Sequence, residues 1–292
     1  MLSPGFGQDP YVACPTLPQA GKLGKPIGVF LLVAVPSHRH ATARRSTERR
    51  SPEHEVNSAK IAAFRPISHL AMNVEQARFN MVEQQIRPWE VLDQDVLDLL
   101  YVVRREDFVP EAYRAFAFSD LEIPLYENAG EGERMMQPKV EARILQELAA
   151  KKTERVLEVG TGSGYLTALL AARAHHVYSV EINPKLKAFG GDNLRRAGVE
   201  NVTAELGDAA RGWQKHAPYD IIVLTGSTPL TPQALLSQLR AGARLFAVVG
   251  DPPVMEARLI TCTGEGSYHT TDLFETYLAP LKNALQPARF EF

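Results

Sequence analysis

The sequence predicts an α/β protein: a Rossmann-like, doubly wound, mostly parallel sheet with helices on both faces. A helical N-terminal cap precedes the sheet and an antiparallel strand pair closes it. Three observations predict this architecture. From residue 155 onward, short β-rich runs alternate with helical runs, the pattern of right-handed βαβ units. One of those strands runs directly into a glycine-rich loop, Gly160-Thr161-Gly162-Ser163-Gly164, and then into a helix. Near the C-terminus two β-rich runs are joined by Gly264-Glu265-Gly266, a hairpin signature.

In chain order, the cap begins with a helix over 73–86, with Val74, Phe79, Met81, Val82 and Ile86 on its apolar stripe and Arg87-Pro88 at its end. Asp93 caps a second helix over 94–103. Short helical turns are expected at 108–110 and 115–119, an extended run at 121–126 and a polar loop at 127–133. Pro138 suits the first turn of a helix reaching residue 150. Strands are expected at 155–159, 177–180, 202–206, 220–225 and 244–249, and helices at 165–173, 185–197 and 232–239. The closing pair is read at 257–263 and 271–278. This divides the chain into an extension (1–71), a helical substrate-side region (72–150) and a cofactor-binding core (151–292).

The first 71 residues carry 8 of the 20 prolines and nine Lys/Arg against four Asp/Glu, with no sustained helical or strand period. Such a segment buries too little apolar surface to offset its ordering entropy, so it reads as a disordered tail or an upstream extension, in preference to a targeting or basic interaction arm. Its longest apolar run, 27–35, is too short to cross a bilayer, and the arginines behind it do not suit a secretory leader. The whole chain of 292 residues has a net charge of −2, which argues against a dedicated nucleic-acid binder. Its two cysteines, Cys14 and Cys262, form neither a zinc motif nor a CxxC pair. His175-His176 would point to opposite faces of a strand, so no metal site is expected. A cytoplasmic setting and no membrane partner follow as expectations.

The glycine loop carries the chemistry. Glycines allow a sharp turn and a close approach of ligand to backbone at the carboxyl edge of a parallel sheet. A dinucleotide fingerprint spaces its glycines GxGxxG, whereas this loop is GxGxG with Glu158 two residues before it. An acid there would repel a pyrophosphate and suit a cationic ligand, such as the amino group and sulfonium of S-adenosylmethionine. Glu181 ends the second strand, where a carboxylate can accept from ribose hydroxyls, and Asp208 follows the third, within reach of an adenine amino group. The candidate cofactor-binding residues are Glu158, Gly160, Thr161, Gly162, Ser163, Gly164, Tyr165, Glu181, Ile182, Asp208, Ala209 and Thr225. Taken singly, Glu181 and Asp208 also read as solvated strand-end acids. Phe189 and Trp213 read as core aromatics, and Tyr165 as a wall of the site.

The stretch 156–171, VLEVGTGSGYLTALLA, closely resembles motif I of the protein-L-isoaspartate O-methyltransferase family. The likeness continues through 177–181, Gly207-Asp208-Ala209, Trp213, 217–226 and Val249-Gly250. Upstream, 104–109 resembles the family's pRe.Fv segment, and Leu278-Ala279-Pro280-Leu281 its closing vPL. The likeness runs from residue 72 to 281 and implies an S-adenosylmethionine-dependent enzyme acting on L-isoaspartyl residues of proteins or peptides. One departure stands out. The family's TISxPxM segment, whose hydroxyl lies at the substrate carboxylate, matches Arg134-Met135-Met136-Gln137-Pro138-Lys139-Val140 here, and Met136 occupies the serine position without a donor. The glutamine that the family carries after its Val-Gly block is also absent, since 252–255 occupy that place.

A carboxylate acceptor, with a pKa near ~4, is already ionised at neutral pH and needs no general base. Gln137, Arg134 and 225–227 are candidate donors to it, with Arg134 able to replace the lost hydroxyl by a charge-assisted bond. Arg134 reads equally as a solvated loop residue. Met136, Gln137 and Arg134 are the substrate-loop candidates. The alternatives are a methyltransferase of the same ancestry acting on a small molecule or RNA, and a non-catalytic cofactor-binding homologue. The GxGxG spacing and Glu158 disfavour an NAD-dependent oxidoreductase.

Overall fold

The computed structural model describes residues 73–288. The extension read at 1–71 lies outside the described residues, as does its apolar run. The core is a seven-stranded sheet in the order β5-β4-β3-β6-β7-β8-β9. Strands β3 (Arg155–Val159), β4 (His176–Glu181), β5 (Val202–Leu206), β6 (Tyr219–Leu224) and β7 (Leu239–Asp251) are parallel. Strands β8 (Val254–Gly264) and β9 (Ser267–Glu275) add as antiparallel hairpins. Strand β3 has β4 on one side and β6 on the other, which places the direction change of the sheet at its tip.

The central strands β3, β4 and β6 and residues 245–249 of β7 are buried and largely apolar because both faces are covered, whereas the edge strands β5 and β9 stay partly exposed. Side chains alternate by face: Val156, Val177, Ile221, Val223, Phe246 and Val248 join one core cluster, while Leu157, Val180, Ile222, Leu224, Leu245 and Ala247 join the other. The first cluster takes in α3 (Pro138–Leu148), α4 (Tyr165–Arg173) and α5 (Pro184–Arg196) together with the cap, so the 72–150 region and the sheet share one apolar core. On the second face the cover is thinner: the single-turn helix α6 (Gln233–Leu236) and the segment after β5, with Ala209 and Trp213 packed on the sheet.

Several boundaries differ from the sequence reading. The helix expected at 232–239 is only α6, because Leu239 pairs with Tyr219 and Gln238 O accepts from Tyr219 N at 2.9 Å, drawing the following residues into β7. The first helix is α1 (Val74–Asn80), capped by Asn73, and continues as wider π-type turns over Met81–Ile86 and a tight turn over Arg87–Trp89. Asp93 caps α2 (Gln94–Val102) as expected, accepting from Asp95 N and Val96 N. The short turns fall at Arg105–Asp107 and Glu111–Phe116. The extended run contributes β1 (Ile123–Pro124), which pairs with β2 (Arg134–Met135), a strand without a period of its own in the sequence. The closing strand ends at Glu275 rather than 278, since the chain leaves the sheet there to wall the site.

Candidate active site

The site forms where β3, β4 and β5 end. Strand β3 delivers Glu158 and then turns through Gly160, whose φ is +101°. A Cβ at Gly160 would lie 2.1 Å from Thr225 Oγ1, so only glycine lets β3 and the end of β6 approach this closely. Thr225 Oγ1 lies 2.9 Å from the carbonyl oxygens of Val159 and Gly160 and fastens that junction. Gly164, at φ +82°, opens α4, and a Cβ there would meet Gly190 O at 2.9 Å; it serves the packing of α4 on α5.

One cavity is lined by Glu158, Gly160, Thr161, Gly162 and Ser163, by Glu181 and Ile182, by Asp208 and Ala209, and by Thr225. The three strand-end acids therefore meet at a single cavity. Glu181 is held by backbone donors, Gly162 N at 3.0 Å and Asn183 N at 2.9 Å. Asp208 accepts from Ala210 N at 3.0 Å and Asn283 Nδ2 at 2.9 Å. Glu158 is fully buried, and its Oε2 accepts from Ser179 Oγ at 2.6 Å and Thr167 Oγ1 at 2.5 Å. Burial pushes its carboxyl up to about 8 against the pull of those two hydroxyls, and Glu181 adds to the rise. Its Oε1 is buried without a hydrogen-bond partner among the described residues. A buried acceptor left open at a cavity wall suits a ligand that brings a cationic donor.

The substrate-loop segment reaches the same cavity. Arg134 and Met136 line it; Met136 is 7% exposed, and its carbonyl accepts from Arg105 Nη2 at 2.6 Å. Gln137 does not line it. It precedes α3, its carbonyl accepts from Val140 N and Glu141 N, and so it starts the helix instead of facing the ligand. Gly164 is likewise outside the lining, for the packing reason given. Tyr165 is corrected from site wall to core: it is 1% exposed, edge-on to Phe108 at 5.5 Å, with the Arg105 guanidinium 5.2 Å from its ring. The first turn of α4 aims it at the cap, away from the strand tips. Trp213 packs beneath Gly207 and donates Nε1 to Glu205 at 2.8 Å, and Phe189 packs on the core, so both are core aromatics as read. Ser227 is buried outside the lining; its backbone bonds to Ala279 and Leu281.

Sequence reading missed Glu122, Glu131, Glu133, Glu141, Asn183 and the 278–282 segment, all of which line the cavity. Only the last was signalled, by its likeness to a family closing motif. Glu122 stands just before β1, Glu131 and Glu133 in a polar loop and Glu141 on a helix, and nothing local marks them.

A family model described as protein-L-isoaspartate(D-aspartate) O-methyltransferase (PCMT) matches residues 76–286. This chain belongs to that family. Among curated relatives, protein-L-isoaspartate O-methyltransferase 1 of Syntrophobacter fumaroxidans is 38% identical over 199 residues, 68% of this chain and 91% of the relative. The protein-L-isoaspartate O-methyltransferase of Methanoculleus marisnigri is 39% identical over 204 residues, 70% of this chain and 90% of its own. Among solved structures, a protein-L-isoaspartate O-methyltransferase superposes with a TM-score of 0.61 at 22% identity, covering 72% of this chain and 66% of that one. A Plasmodium falciparum beta-aspartate methyltransferase (PCMT), solved in complex with S-adenosyl-L-homocysteine, superposes with a TM-score of 0.57 at 19% identity, covering 70% and 97%. This family member is an S-adenosylmethionine-dependent methyltransferase, and its fold is the Rossmann-like fold of that class. Glu158, with its open buried oxygen, fits such a cofactor, and the side chains that end β3, β4 and β5 at the cavity include Glu158, Glu181 and Asp208 and no cation to meet a pyrophosphate.

Proposed function

We propose that this protein methylates damaged proteins and peptides, transferring a methyl group to the carboxylate of their L-isoaspartyl residues. The observation that carries the reading is the shared cavity: Arg134 and Met136 of the substrate loop line the same space as Glu158, Glu181 and Asp208. When bound, S-adenosylmethionine supplies an electrophilic methyl group on a good leaving sulfide. The chain's own work is to hold the acceptor in line and to keep water away. Glu158 receives the cationic end of the cofactor, Glu181 its ribose and Asp208 its adenine. An ionised acceptor carboxylate needs no base, but it needs donors.

Arg134 supplies the main donor. The cavity's cations are Arg134 and Lys282, and Lys282 pairs with Glu133 at 3.2 Å. Arg134 has no carboxylate within ion-pair distance among the described residues. It feels the charge of Glu122, another lining residue, without forming an ion pair with it, and so keeps donors for a charge-assisted bond that stands in for the hydroxyl displaced by Met136. A second reading has support from one observation: Met136 itself, an apolar side chain at the acceptor end, favours a less polar acceptor such as a small molecule. The protein partner and a cytoplasmic setting belong to the first reading; no helix of the described residues is long and apolar enough to cross a membrane.

Transfer of a labelled methyl group to an isoaspartyl peptide, beside its normal aspartyl twin, tests the proposal. Labelling of the isoaspartyl peptide alone is expected. Arg134→Ala is expected to raise KM for that peptide about tenfold or more, the worth of one charge-assisted bond. Tight cofactor binding with no transfer to the isoaspartyl peptide would overturn it and leave the second reading, or a non-catalytic homologue.

A further inference from the structure

Besides the glycine loop after β3 and Thr225-Gly226 after β6, the cavity is walled by the 131–136 segment, the residues after β4, the residues after β5, and the 278–282 segment. They come from distant parts of the chain, and one side chain ties three of them together. Glu133 closes the hairpin loop between β1 and β2, where its backbone bonds Leu125 N at 3.1 Å and Gly130 O at 3.1 Å. Its carboxylate accepts from Tyr126 Oη and from Gly130 N at 3.0 Å within that loop. It also accepts from Asn183 Nδ2 at 2.9 Å and from Lys282 Nζ at 3.2 Å. Asn183 stands two residues after Glu181, accepts from Lys185 N and caps α5. Lys282 lies next to Asn283, which holds Asp208.

Glu133 thus reaches both acids assigned to the nucleoside, one through Asn183 and one through the Lys282-Asn283 pair. Its side chain is 14% exposed, and these donors hold its carboxyl down to about 2, so it is an anion at every physiological pH. Two further contacts join the same walls. Tyr277 donates to Glu131 Oε2 at 3.1 Å, and a Cβ at Gly132 would come within 3.8 Å of the Pro280 carbonyl oxygen. Loops positioned by a network of this kind bind ligand with less ordering cost than loops that must be fixed on binding.

We infer that Glu133 is a positioning residue for the cofactor: it locks the β1–β2 loop, the α5 cap and the 278–283 segment into one enclosure and thereby sets cofactor affinity. The inference rests on the S-adenosylmethionine reading of the cavity. Loss of the carboxylate frees all three walls at once, whereas loss of Lys282 frees one.

The test measures S-adenosylhomocysteine binding by calorimetry on the full chain, as wild type, Glu133→Gln and Lys282→Met. Methyl transfer to isoaspartyl peptide is measured at saturating cofactor. For Glu133→Gln the expected result is affinity weaker by about tenfold or more, with kcat at saturation within about threefold of wild type. Lys282→Met is expected to weaken binding less, and the double variant to be no weaker than Glu133→Gln, because both act through one network. Hydrogen exchange at Gly130 and Asn183 is expected to quicken in Glu133→Gln. Glu133→Gln affinity within about twofold of wild type, at unchanged or lowered Tm, would overturn the inference and leave Glu133 a structural anion. Failure of the wild type itself to bind S-adenosylhomocysteine would instead sink the cofactor reading.

Discussion

At the scale of single residues, Glu158 joins burial to binding. A carboxyl is expensive to ionise in a dry wall, and burial raises Glu158 from its ordinary value of 4.5 to about 8 even though Ser179 and Thr167 donate to it. In the ligand-free protein it therefore keeps its proton at neutral pH. Because the folded value lies above the unfolded one, its contribution to stability is fully present below about pH 4.5 and is lost as pH rises through about 8. A cationic ligand group beside Oε1 favours the carboxylate instead, so cofactor binding is expected to expel a proton near neutral pH. Calorimetry in buffers of different ionisation enthalpy reads this directly, and affinity is expected to strengthen between pH 6 and 8. Glu158→Gln is expected to abolish the proton release and to weaken binding by ~1.5–3 kcal/mol, the range for a hydrogen bond to a charged group. Binding heats that do not depend on the buffer would show that Glu158 does not meet the cation.

Between elements, the corresponding tie is Arg105. Its guanidinium is fully buried, donates to Ala117 O at 3.0 Å and Met136 O at 2.6 Å, and pairs with Glu141 of α3. Burial lowers it to about 10, which leaves it charged at neutral pH. Arg105→Met strands the Glu141 carboxylate in the core and is expected to cost ~3–5 kcal/mol in urea unfolding, whereas Arg105→Met with Glu141→Leu recovers most of that loss. A double variant as unstable as the single would mean that the pair is not what holds these elements. Arg105 also marks the limit of what local sequence shows. Strands β3, β4, β6 and β7 are legible because their central residues are buried on both faces, β5, a half-buried edge, because turns bound it, and the acids at the tips because a strand end fixes where a side chain goes. The helix expected at 232–239 fails because pairing with Tyr219 outweighs local helical preference. Strand β2 is invisible because two residues carry no period, and Tyr165 was misplaced because adjacency to a loop says nothing about which way a helix turns. Glu133 escapes notice for a further reason: its partners Asn183 and Lys282 lie 50 and 149 positions away.

For the molecule as a whole, the cap and the sheet share one apolar cluster that runs from Met81 and Leu97 through Ile144 and Leu169 to Val223 and Phe246. A core continuous across both regions makes them unfold together. The cofactor cavity sits at the rim of that core, walled by the ends of β3 and β4, by the residues just after β5 and β6, and by the 131–136 and 278–282 segments. A ligand that binds only this assembled form must therefore stabilise the entire unit. At a hundred times its Kd it adds ~2.7 kcal/mol. For a unit of this size each kcal/mol raises Tm by about 2–4 °C. S-adenosylhomocysteine at that excess is expected to shift one cooperative thermal transition upward by roughly 5–11 °C. NAD at the same concentration is expected to leave the transition in place, because its pyrophosphate would face the carboxylates of Glu181 and Asp208 and would offer Glu158 no cation to draw off its proton. A transition that splits in two would separate the cap from the sheet, and an equal rise with NAD would mean that the acids at the strand tips do not select for a cation.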